Sequence, residues 1–70
     1  MIKILPLAHS TMFYNEDDSS KKVSFVNYNL SLMTDNPEMI EIISEMIQEQ
    51  TGSEIDTDVL VKYMESLHDC

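Results

Sequence analysis

The hydrophobic period of this chain changes near residue 34, and that change dictates the order in which its elements can occur. Over residues 26–32 apolar and polar side chains alternate. Val26, Tyr28, Leu30 and Leu32 fall on one side, Asn27, Asn29 and Ser31 on the other. Successive strand side chains point to opposite faces, so this period of two predicts a half-buried strand with the two asparagines and Ser31 outward. Residues 2–7 and 11–14 are apolar and rich in β-branched or aromatic types, which also favours strand. Pro6 cannot donate to a ladder and is expected at an edge or a bulge. The polar run over residues 15–22 predicts a hairpin loop whose acids and lysines pair across the turn. Exposed pairs of that kind contribute at most about 1 kcal/mol.

After residue 34 the period becomes that of a helix. Asn36 is placed to cap, Pro37 suits the first helical position, and Glu38 falls in the first turn. Met39, Ile40, Ile42, Ile43, Met46 and Ile47 form a wide apolar face, and Gly52 ends the helix. A second helix is expected after Asp56 or Thr57, with Val59, Leu60, Tyr63, Met64 and Leu67 inward, Val61 on the flank and Ile55 as a staple. The expected fold is α+β: a β-hairpin or small antiparallel sheet followed by a helical hairpin, in ββαα order. One small domain covers 1–70, strand-rich over 1–33 and helical and acidic over 34–70.

Size and charge then narrow function. Seventy residues with a single cysteine cannot form an internal disulfide. A core of this size supplies only about 3–5 kcal/mol. The chain starts with Met and reads as a complete small protein. No apolar run approaches the roughly 20 residues of a membrane span, and the start is too short for a signal peptide, so a cytoplasmic setting is expected. Gly, Ala, Arg and Pro are scarce while Ile, Asn and Met abound, a bias of AT-rich genomes such as those of many phages.

The net charge of −9 is not spread evenly. Lys3, Lys21 and Lys22 balance Glu16, Asp17 and Asp18 in residues 1–33, whereas residues 34–70 hold ten acids against Lys62. With no arginine, direct nucleic-acid binding is disfavoured. At about 100° per residue, Glu38, Glu41, Glu45 and Glu49 fall within an arc of about 80° on the first helix. The ridge is about 16 Å long. Glu54, Asp56 and Asp58 extend the acidic surface toward the second helix.

Constellations for chemistry are weak. His68, Asp69 and Cys70 place an imidazole beside a thiol, but at a terminus unsuited to orienting a base. With His9 they fit no closed zinc motif. Glu54 to Glu65 has the span of a calcium loop, yet Val59 stands where the turn glycine is needed, so acidic helix caps explain it better. Residues 42–67 resemble the end of acyl carrier proteins in order: an acidic helix, a Gly turn, Glu-Ile-Asp and another helix. The Asp-Ser-Leu attachment motif is absent, so carrier function does not follow.

The expected function is a small, acidic, non-enzymatic binding protein without cofactor or metal, encoded by a phage or mobile element. It would inhibit a host nucleic-acid-processing protein by presenting Glu38, Glu41, Glu45, Glu49, Glu54, Asp56 and Asp58 to a basic groove in that larger protein. The alternative is a structural or regulatory homodimerisation module, joined through an apolar helix face or a sheet edge, in which the acids only provide solubility.

Overall fold

The computed structural model describes residues 1–68, so Asp69 and Cys70 of the terminal trio lie outside the described residues. Three strands, β1 (Ile2–Pro6), β2 (Ser10–Asn15) and β3 (Asp18–Val26), precede three helices, α1 (Asn27–Leu32), α2 (Pro37–Thr51) and α3 (Thr57–His68). The strands form an antiparallel meander in the order β1-β2-β3, and the helices cover one face. The fold is α+β, as the change of period predicts. Its order is βββααα rather than ββαα. The shortest dimension, 15 Å, accommodates one sheet and one helical layer.

Register sets the inner face. Ile4 pairs with Phe13 and Phe13 with Val23, and Thr11 pairs with Phe25. Phe13, Leu30, Ile40, Ile43, Ile47, Leu60 and Met64 form the buried core, and every element except the two outer strands contributes to it. Ile4, Val23 and Phe25 of those strands pack against its margin. Pro6 closes β1, an edge strand, where its missing N–H costs no ladder bond.

Two expectations are corrected. The alternating segment 26–32 is not a strand: it leaves the sheet after Val26 and turns into α1. The cause is the partner strand. β2 begins at Ser10, which is paired with Val26, so residues beyond Val26 have no ladder left to join. The Asn27 N–H still bonds the His9 carbonyl at 2.9 Å, and the chain then coils. Within α1 only Leu30 is buried, while Tyr28 and Leu32 are 69% and 63% exposed. Asn27, Asn29 and Ser31 are therefore not an outer sheet face. Asn27 instead joins a polar network that crosses the layers. Thr11, fully buried on β2, donates from Oγ1 to Asn27 Oδ1 at 2.6 Å, and its hydroxyl also meets the Tyr63 hydroxyl of α3 at 2.6 Å. Buried hydroxyls need partners of this kind, and these tie sheet to helices.

The second correction concerns residues 15–22, expected as one hairpin loop. The turn is only Glu16-Asp17, and the rest is strand β3. The ladder is irregular there: Tyr14 pairs with Lys22 but Asn15 with Asp18. Ser20 stabilises the irregularity locally, donating from its hydroxyl and its N–H to Asp18 Oδ1. Those bonds hold the Asp18 carboxyl below the usual carboxylate range, the hydroxyl bond first. The ion pair found among the described residues is Lys3–Glu16 at 4.0 Å, made with β1 rather than across the turn.

The end of α2 behaves as expected. Gly52 has φ 72°, and its N–H bonds the Gln48 carbonyl at 2.8 Å. Asn15 of β2 donates to the Thr51 carbonyl at 3.0 Å, joining sheet to helix end. A Cβ at Gly52 would meet the Lys21 side chain at 3.8 Å, an ordinary contact. The cost of Gly52→Ala is therefore backbone strain, about 1–2 kcal/mol. Thermal unfolding should show a fall of about 4–8 °C in Tm for each kcal/mol lost.

Candidate functional site

The acidic face is built by the capping and burial of α2. Asn36 Oδ1 accepts from the Met39 N–H at 3.2 Å, and Pro37 opens the helix. Burial of Ile40, Ile43, Ile47 and Thr51 fixes its rotation against the sheet. Glu38, Glu41, Glu45 and Glu49 then lie about 160° round the helix from that stripe, and all four are exposed. No lysine is within ion-pair distance of them among the described residues. Like charges at i,i+4 repel by a few tenths of a kcal/mol per pair, and among the described residues no ion pair offsets that cost.

The apolar face of α2 is narrower than its sequence predicts. Ile42 and Met46 are exposed, beside the glutamate ridge. On α3, Leu60 and Met64 are buried, while Val59 stands out into solvent rather than inward. A helix packed on one sheet buries a stripe, and residues at its margin remain wet.

The remaining predicted acids divide. Asp58 is exposed on α3, about 60° round the helix from Val61. Asp56 is partly occupied as a cap: its Oδ1 accepts from the Asp58 N–H at 2.9 Å, and its carbonyl accepts from Leu60. Glu54 and Asp56 border a separate recess of about 320 Å³ lined by Ile2, Ile55 and Val59. The seven predicted acids therefore form one continuous ridge on α2, the exposed Asp58 on α3, and a second group, Glu54 and Asp56, beside β1. The candidate calcium span 54–65 is largely α3, a helix that cannot wrap an ion.

A feature not anticipated from sequence lies beside the ridge. A groove of about 470 Å³ separates α2 from α3. Pro37, Ile40 and Val61 make it apolar, and Glu41 and Glu45 form its acidic side. Thr57 and Ser44 complete the lining. The Ser44 hydroxyl is buried with no hydrogen-bond partner among the described residues. Only the flank position of Val61 on the helical wheel pointed toward such a groove, because the approach of two helices is set by the core and not by either helix alone. A third recess, lined by Thr34, Asp35, Glu65 and His68, is polar.

The opposite side of the molecule has a different character. Register places Lys3, Tyr14 and Lys22 in one cross-strand row on the outer sheet face, with Leu5, Met12 and Ser24 in the next. The outer sheet face thus carries Lys3 and Lys22, while the exposed Glu38, Glu41, Glu45 and Glu49 lie on the helical layer. No helix among the described residues is long and apolar enough to cross a membrane. No protein-family model, no curated protein and no solved structure matches this chain.

Proposed function

We propose that this chain is a small non-enzymatic binding protein of the cytoplasm that engages the basic groove of a larger, nucleic-acid-processing protein and so inhibits it. A phage or mobile element is the source that fits its composition. The observation that carries this reading is the exposed row Glu38, Glu41, Glu45 and Glu49, held rigidly by the buried stripe on the other side of α2. Opposed potentials would steer association and make it sensitive to salt. The ridge places one charge per about 5.5 Å, against about 3.4 Å for one DNA strand. It competes for a groove; it does not reproduce a duplex.

The test is capture of partners from bacterial lysate on the immobilised chain, eluted separately with salt and with duplex DNA. Release by both is expected, since DNA would occupy the same basic groove. Capture that neither DNA nor salt disturbs would contradict the proposal.

A second reading has its own observation. The outer sheet face leaves Leu5 exposed beside Met12 and Tyr14, and β3 has one unpaired edge. Open edges and apolar sheet faces can join two copies. Sedimentation at micromolar concentration separates the readings: a tight dimer, insensitive to salt, favours the dimerisation module.

A further inference from the structure

We propose that the groove between α2 and α3 seats a basic amphipathic helix of the partner, its apolar side chains between Ile40 and Val61 and its lysine or arginine side chains on Glu41 and Glu45. This rests on the reading above and narrows the acidic face to one seat. Two observations meet there. The groove is apolar within and acidic along one side, so it is complementary to a ligand with both characters. Its volume of about 470 Å³ suits a few side chains.

The chemistry of the occupant follows from the spacing. Glu41 and Glu45 stand one turn apart, about 6 Å along α2. Two cations one turn apart on a helix match that interval and remove the i,i+4 repulsion between the glutamates. A channel between two helices takes the side-chain ridge of a third, with anchors at i and i+3 or i+4. A second copy of this chain does not supply the occupant. Its α1 and α2 contain no lysine or arginine, and α3 contains Lys62 alone. Nucleic acid is repelled by the same glutamates.

The probe is an alanine-based helical peptide of about 18 residues, with leucine at i and i+4 flanked by lysine, titrated by fluorescence against the full chain. Val61→Glu removes the apolar seat yet adds negative charge, so purely electrostatic attraction would persist or strengthen. Thr57→Glu leaves the apolar seat in place but puts a longer, charged side chain into the groove from the first turn of α3, where an acid favours the helix. Each should weaken binding about tenfold or more, with an unchanged far-UV circular dichroism spectrum. A peptide with leucine replaced by alanine should lose as much. Wild-type affinity in both variants, equal binding of the leucine-free peptide, or no binding to the wild-type chain would overturn the proposal. Glu41→Lys with Glu45→Lys is measured in parallel. If that pair loses binding while the groove variants do not, the groove is wrong and the acidic face stands.

Discussion

Phe13→Ala is expected to leave most of the chain unfolded at room temperature. Phe13 is fully buried at the centre of β2, the middle strand of the sheet. Its ring meets Phe25 edge-to-face at 5.9 Å and Tyr63 at 6.3 Å, so one side chain joins two strands to α3. Truncating a buried phenylalanine costs about 3–5 kcal/mol through lost transfer energy and the cavity left behind. A core of this size supplies about the same amount in total, with no disulfide in reserve. The measurement is urea unfolding followed by circular dichroism. A cooperative transition near the wild-type midpoint would show that the core is not organised around β2. Tyr28→Ala is the control: at 69% exposure on α1 it should change stability by no more than about 0.5 kcal/mol.

The sequence was most informative where local signals agree. Asn36, Pro37 and Gly52 bound α2 on their own chemistry, and the structure places its N-cap and its left-handed C-cap at those residues. Asp56 and Thr57 likewise start α3 as expected. The failure over residues 26–32 is of a different kind. Alternation there is genuine, but pairing depends on the length of another strand, and β2 starts too late to hold it. The same holds for residues 15–22, where polar composition suggests a loop and the β2 ladder recruits the segment as an edge strand. Edge strands tolerate serine and lysine because one side stays wet. The glutamate ridge was legible because a single helix carries it. The α2–α3 groove and the Thr11–Asn27–Tyr63 network were not, since each joins residues distant in sequence through the packing of whole elements.

Reversing Glu41 and Glu45 to lysine should raise or preserve stability while weakening partner binding about thirtyfold or more. The two effects have opposite signs because the glutamates serve no contact within the fold. In the wild-type ridge the neighbours 38–41, 41–45 and 45–49 are all like-charged. After reversal the first and last become attractive and only the middle one repels, a gain of a few tenths of a kcal/mol. The net charge moves from −9 to −9 + 4 = −5, which also reduces self-repulsion. Toward a basic groove the balance inverts. Each exposed pair lost costs about 0.2–1 kcal/mol, and each new like-charge contact adds a similar penalty. Two positions together reach about 2 kcal/mol, near thirtyfold in Kd. The association rate should fall first, and the dependence of affinity on salt should flatten. Surface plasmon resonance across a salt series, beside urea unfolding of the same variant, reads both signs. A variant that loses stability would mean that the ridge is structural. One that keeps both its affinity and its salt slope would remove the acidic face from the binding mechanism and leave the sheet side of the molecule to account for it.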